Sequence, residues 1–502
     1  MADALSSAIV AQSPCAVTAW WERRLTIMAA ICLAGAAAAR ILSGIGQPLW
    51  LDEAWTGAIV AHADLRGLLH RIYLDPNAPL YYLLMYGWSL LFGLSDLALR
   101  TPSILFGIAT PLLVWRTATP GLALEERLTW AVVLASWFPG IWYATDARCY
   151  ALLLFLCTGQ TLAYARLIAT PGMRRAFGWT AWSTLAILTH YDAGFLALCQ
   201  GLFYLAVHRR AALRTWPAAL LFLPAAGWIA WHLPRLAEFA RPEVAWYARL
   251  GPGDLPGILD FFFAPRMVPL GLAVLAVVAL LVRPRPSPAQ RPRAGGNLVP
   301  VTIIAAGLAA GGIVVALGFA RPSFTLRYLI PVAPAVLLGL VLAMGSVARR
   351  WGVVWPATMA ICLCGGLMAT WGIASQPRHY SFEPAAADLA AAGTRRLAFA
   401  WDNPASPVLR PSQLEALGSF FFTRTGRPVA VDPVVLRPGE DANAALLRAA
   451  GTAPRTAILW LYDRSVHDTA AIATPPAIAA RDPSWRCRNY GRDPIGVIAC
   501  RR

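Results

Sequence analysis

Two carboxylates, Asp52 and Glu53, stand side by side in Trp50-Leu51-Asp52-Glu53-Ala54-Trp55, a few residues beyond an apolar run long enough to cross a bilayer. Charge at membrane depth is costly, so an ionisable side chain there marks a functional site by default. Partial burial raises a carboxyl pKa and makes the group a better proton acceptor, whereas a neighbouring arginine lowers it. Adjacent residues on a helix or strand do not point the same way. Asp52 and Glu53 are the candidate catalytic residues. One is expected to face the reaction and the other to serve structure.

Other polar residues recur at the ends of apolar runs. In Leu74-Asp75-Pro76-Asn77-Ala78-Pro79 the prolines enforce an extended path. There Asp75 or Asn77 either hydrogen-bonds a sugar or caps the helix that follows. Asp146 and Arg148 lie between two apolar runs. An arginine on the outer face needs an anion, and a guanidinium matches phosphate oxygens in two-pronged fashion. The competing reading is an Asp146–Arg148 pair or contact with headgroups. His190, Tyr191 and Asp192 form a third group, too sparse to define a metal site. Arg321, Arg327 and Tyr328 form a fourth, and the loop 234–265 adds Arg241, Glu243, Trp246, Tyr247 and Arg249. Arg148, Arg327 and Tyr328 are the candidate phosphate ligands. Asn77, Tyr81, Asp146, His190, Tyr191, Trp246 and Tyr247 are the candidate substrate contacts.

Membrane helices must position these residues. Only 14% of the 502 residues are charged and 58% are hydrophobic, against about a quarter charged in a soluble domain. Apolar runs fall at about 25–44, 99–116, 128–144, 149–168, 177–191, 193–208, 214–233, 266–282, 298–320, 328–348 and 352–373. Each is near the length that crosses a bilayer. Eleven transmembrane helices are expected. The further run 79–94, with Tyr81, Tyr82, Tyr86 and Trp88, reads as a helix lying in the outer interface. With that assignment the arginine-rich loops, including RPRPSPAQRPR at 283–293, all face the cytoplasm, as positive loops do. The N-terminus (1–24) is then cytoplasmic, and the first outer loop (45–98) and the tail face outward. The first span, an Ala-rich stretch behind Arg23 and Arg24, reads as an uncleaved anchor.

The net charge of +17 comes from arginine without a single lysine. The arginines are spread through short loops rather than gathered on one soluble face, which excludes nucleic-acid binding. No Walker loop or dinucleotide fingerprint is present. The tail, 376–502, changes character. RRLAFAW, RPVAVDP and TAILWLYDR read as strands, while PSQLEALGSFFFTRT and DANAALLRAAG read as helices. The alternation predicts a small soluble α/β domain. Near its end, two short strands around a Gly/Asp/Pro turn bring Cys487 and Cys500 together as a hairpin disulfide, which an oxidising exterior permits.

At this point the sequence resembles the GT-C superfamily of integral-membrane glycosyltransferases, in the bacterial branch related to protein O-mannosyltransferases and lipid A aminoarabinose transferases. The matching pieces are LDEAWT, NAPLYYLLMYGWSLLFG followed by ALRTPSILFG, WYATDARCYALLL, LTHYDAGFLAL and RYLIPVAP, in order over roughly 45–335. The resemblance implies a catalytic acid in the first outer loop, at Asp52 with Glu53 beside it, interfacial helices in that loop, and polyprenyl-phosphate sugars as donors. Family members commonly have His-Pro-Pro where this chain has Asn77-Ala78-Pro79, and often Glu in place of Asp146.

The expected function is sugar transfer from a polyprenyl-phosphate carrier to a hydroxyl of a lipid, glycan or protein. It would run with inversion, on the outer face of a bacterial cytoplasmic membrane. A divalent ion, Mg or Mn, is compatible with the chemistry, although no ligand cluster requires one. The alternatives are a lipid or sugar transporter or flippase, and a non-catalytic envelope assembly subunit.

Overall fold

The computed structural model describes residues 14–61, 64–245, 249–263, 297–348, 351–375, 381–437, 439–463, 476–491 and 495–502. The expected span at 266–282 and the candidate contacts Trp246 and Tyr247 lie outside the described residues.

The chain opens with the long helix α1 (Pro14–Gly44). Three shorter helices make up the first loop: α2 (Leu51–Val60), α3 (Leu65–Leu74) and α4 (Leu80–Phe92). The last matches the expected interfacial helix, and its end is open, with Leu90, Leu91 and Phe92 exposed. Helix α5 (Asp96–Arg116) follows. The run expected as one span at 128–144 is divided into α6 (Leu124–Ser136) and α7 (Phe138–Ala144). Trp137 between them is extended and Pro139 sits in the first turn of α7, where a missing N–H is tolerated. Next come α8 (Tyr150–Ala169), α9 (Met173–Ile187), α10 (Ala193–His208), the single turn α11 (Arg210–Leu213), α12 (Leu223–Phe239) and α13 (Leu255–Phe263). Helices α14 (Leu298–Ala320), α15 (Ala333–Ala348) and α16 (Val354–Ser375) complete the apolar part.

Seven described helical stretches are long and apolar enough to cross a membrane: 19–44, 96–116, 150–169, 216–239, 298–320, 326–345 and 354–375. They cover seven of the eleven expected spans. The stretches 216–239 and 326–345 each begin as a 3-10 turn, where Pro217 and Pro331 withhold their N–H groups. The expected spans at 177–191 and 193–208 are the shorter helices α9 and α10. Small residues set the closest approaches. A Cβ on Gly307 of α14 would lie 2.4 Å from the Cβ of Ala335 in α15.

The tail folds as a five-stranded sheet with helices. Its elements are α17 (Glu383–Ala391), β1 (Arg396–Asp402), α18 (Pro411–Arg424), β2 (Ala430–Pro433), α19 (Ala442–Ala450), β3 (Thr456–Asp463), α20 (Pro476–Arg481), β4 (Arg486–Asn489) and β5 (Ile495–Arg501). The strand order is β2-β1-β3-β5-β4. β1 pairs in parallel with β2 and β3, and β5 pairs antiparallel with β3 and β4. Cys487 faces Cys500 across β4 and β5, and the two are joined in a disulfide.

Strand residues alternate between faces. Ala398, Ala400, Ile458, Trp460 and Tyr462 pack with α19 on one face. Leu397, Phe399, Trp401, Leu459 and Leu461 on the other join Leu417, Phe420 and Phe421 of α18 in a core continuous with the membrane helices. The two parts of the chain thus share one hydrophobic interior.

Candidate active site

Helix α2 carries both acidic residues in its first turn, where the dipole favours negative charge. Glu53 is fully buried. Its Oε1 accepts from Arg100 Nε at 2.6 Å and from the Ala147 amide at 2.8 Å. Its Oε2 accepts from Arg100 Nη2 at 2.5 Å and from the Trp50 amide at 3.0 Å. Arg100, equally buried, also donates to the carbonyls of Gln47 at 2.5 Å and Pro48 at 2.9 Å. This two-pronged pair is the strong form of an ion pair. It ties the start of α2 to α5 and to the turn before α8. Glu53, expected as a catalytic neighbour, is therefore committed to structure, because both of its oxygens are occupied by the protein.

One residue earlier, about 100° round the helix, Asp52 points the other way and lines a cavity of about 780 Å³. Its Oδ2 lies 3.4 Å from Arg327 Nη1, and its side chain keeps 15% of its exposure. Arg148 Nη1 donates to the Asp52 carbonyl at 3.4 Å. Arg148 and Arg327 border the same cavity, as do Tyr150 and Tyr328. The Arg327 guanidinium sits 5.6 Å from the centre of the Tyr150 ring. Arg249 and Arg321 reach the cavity from α13's approach and from the end of α14. The charged side chains around it are four arginines and two carboxylates, Asp52 and Asp75, so the cavity is set up for an anion.

Several candidate contacts lie elsewhere. Asp146 is buried and accepts a 2.7 Å bond from the Trp50 indole, which fixes the residue before α2. Tyr81 is buried beside Ser103, with the hydroxyls 3.5 Å apart, and does not line the cavity. Its neighbour Tyr82 is the tyrosine turned toward Asp75. His190 packs behind the cavity wall, its ring 5.2 Å from that of Tyr328 and 6.0 Å from that of Tyr150. Burial, with Arg327 and Arg148 nearby, pushes its pKa down to about 3, so His190 is neutral at ordinary pH. Asp192, 3.4 Å from His190, is pushed up to about 7 by burial. Tyr191 belongs to a relay beneath the loop. It receives a bond from the Trp228 indole at 2.9 Å and meets His232 Nδ1 at 2.6 Å, while His232 Nε2 contacts the Tyr73 carbonyl at 3.0 Å. A carbonyl only accepts, so Nε2 carries the proton and the Tyr191 hydroxyl donates to Nδ1. Asn77 does line the cavity.

The tail, expected on the same outer face as the first loop, reaches the cavity itself: Leu409 and Gln413, residues not among the expected contacts, are part of its wall. Trp55, one turn along α2 from Asp52, also lines it. Among the described residues no group of three or more His, Cys, Asp or Glu side chains comes together as metal ligands would. Asp52 and Asp75 are the carboxylates lining the cavity, and carboxylate oxygens are what Mg or Mn takes.

ArnT from Cupriavidus metallidurans bound to undecaprenyl phosphate superposes with a TM-score of 0.56, over 96% of this chain and 98% of that one, at 14% identity. The chain has the ArnT fold. The apo form of the same ArnT gives 0.53, over 94% and 97% of the two chains, at 13% identity. The archaeal oligosaccharyltransferase AglB from Archaeoglobus fulgidus aligns over 89% of this chain and 70% of its own, with a TM-score of 0.46 and 10% identity, too low to carry an argument. No protein-family model matches the sequence, and no curated protein matches it. The resemblance to GT-C proteins carried by the ordered motifs holds at the level of fold. With the ArnT fold and seven stretches of spanning length, the chain is a multi-pass membrane protein.

Proposed function

We propose that the chain is a membrane glycosyltransferase that moves a sugar from a polyprenyl-phosphate carrier to a hydroxyl acceptor on the outer face of the bacterial cytoplasmic membrane. One observation carries this reading. A partly exposed carboxylate, Asp52, and the guanidinium groups of Arg148 and Arg327 border one cavity at the head of apolar helices. ArnT of the same fold has been solved with undecaprenyl phosphate, which supports a lipid phosphate as the anion for these arginines.

The acceptor oxygen attacks the anomeric carbon as the bond from that carbon to the phosphate oxygen breaks. Asp52 takes the acceptor's proton as the attack proceeds. The electron pair of the broken bond leaves on the polyprenyl phosphate. Arg148 and Arg327, already fixed in place, stabilise the charge that grows on its oxygens. A single displacement at one carboxylate inverts the anomeric centre, and cleavage of the sugar–phosphate bond supplies the driving force.

Asp52→Asn keeps the shape of the side chain and removes the base. Sugar transfer by the folded variant is expected to fall by about 10²–10⁴-fold. Transfer at the wild-type rate would remove Asp52 from this role.

A further inference from the structure

The last two residues of α3, just before the irregular segment that leads to α4, are gripped from both parts of the chain. His232 Nε2 donates to the Tyr73 carbonyl at 3.0 Å. The next carbonyl, Leu74, accepts from Arg235 Nε at 3.0 Å and from Gln413 Nε2 at 3.1 Å. Gln413 is held in turn, its Oε1 accepting from Arg235 Nη2 and from the Arg410 amide, each at 3.0 Å. Arg235 belongs to α12 and Gln413 to the first turn of α18, so a side chain of the tail helps to fix a loop beside Asp52's cavity. Buried carbonyls with such partners do not drift.

What this grip holds in place is Asp75. Its Oδ1 accepts three bonds, from Tyr82 Oη at 3.0 Å, the Asn77 amide at 3.0 Å and Asn77 Nδ2 at 2.6 Å. No amide of α4 bonds to it, so Asp75 does not cap that helix. Its Oδ2 accepts no hydrogen bond among the described residues, and Asp75 lines the same cavity as Asp52. A carboxylate with one oxygen saturated and the other open to a cavity calls for a hydroxyl donor, and like charge repels a phosphate from it. The arginines on the same cavity take the anion, which leaves the hydroxylated part of the substrate for Asp75.

We infer that Asp75 is the residue that binds the donor's sugar, accepting a hydroxyl hydrogen bond through Oδ2, and that Gln413 is a positioning residue that holds it from the C-terminal domain. This rests on the transferase reading and names the part of the cavity that reads the sugar.

The test measures binding of the full-length protein in detergent to bare undecaprenyl phosphate and to the same lipid carrying glucose, mannose or arabinose. The wild type is expected to hold at least one sugar-bearing lipid about tenfold or more tighter than the bare lipid. A hydrogen bond to a charged group is worth a roughly 10–100-fold preference. Asp75→Asn should abolish that preference while bare-lipid affinity is retained or rises, because a like charge leaves the phosphate's cavity. Retained binding of the bare lipid also shows that the variant is folded. Gln413→Ala should lower the preference by a smaller factor in the same direction. If Asp75→Asn does not fold, Gln413→Ala and Tyr82→Phe, which keep the carboxylate, carry the same comparison.

Equal loss of both lipids in Asp75→Asn, an undiminished preference, or a wild type with no preference would each overturn the sugar role. An unchanged preference in Gln413→Ala would overturn the positioning role. A wild type that prefers a sugar-bearing lipid but turns none over would instead remove the transferase reading, leaving Asp75 as a sugar ligand.

Discussion

Asp52 and Glu53 are neighbours with opposite fates, and rotation along α2 separates them. Glu53 neutralises a fully buried arginine and organises three segments. Glu53→Gln leaves Arg100 charged in the interior without its counter-ion, which costs about 3–5 kcal/mol. The folded fraction and melting temperature in detergent should fall sharply, whereas Asp52→Asn should melt close to wild type because its carboxylate is partly solvated. A Glu53→Gln variant as stable as wild type would show that the pair does not hold the fold. The division of labour was legible in the sequence, since adjacent residues cannot share a face. The partner was not, because Arg100 lies 47 residues away and nothing local marks it. The same rotation explains why Tyr81 turns into the core and Tyr82 reaches Asp75. The arginines at 148 and 327 were readable as charges out of place on the outer side, and they border the cavity.

Among elements, the decisive contact is α18 against α2. Gly57 faces the ring of Phe420, and a Cβ there would lie 2.2 Å from it. One turn further along α18, its last residue Arg424 reaches Asp96 at the start of α5 at 2.5 Å. Gly57→Ala should therefore overpack the junction by about 1–3 kcal/mol. Phe420→Ala should leave a void of its own, and the double variant should recover part of the loss. A double-mutant cycle on melting temperature measures this coupling, and strictly additive effects would show that the two residues do not press on each other. The apolar runs and the strands of the tail were legible because their periods and lengths are local. The junction was not, since Phe420 reads as an ordinary core aromatic of a soluble helix until the glycine it covers is known.

At the scale of the whole molecule, arginine asymmetry and the disulfide bear on the same question of sidedness. The proposed orientation puts the arginine-rich loops in the cytoplasm and the tail in an oxidising compartment. Cys487 and Cys500 close a loop with a sequence separation of 13, and such a bond contributes about 3 kcal/mol in the chain-entropy model. Replacing both with serine should lower the stability of the tail by that order. In the intact wild-type protein the pair should resist a thiol reagent until a reductant is added. Immediate labelling of both in membranes prepared without reductant would place the tail on the reducing side and reverse the topology.

The cavity wall is built from both parts of the chain, with Leu409 and Gln413 lining the same space as Asp52. A compound shaped to block it would rest on the soluble portion as well as on the membrane helices. Escape variants could then arise more than 350 positions from Asp52, the proposed base. Cutting the chain after α16 to obtain a smaller target would remove part of the surface such a compound must recognise.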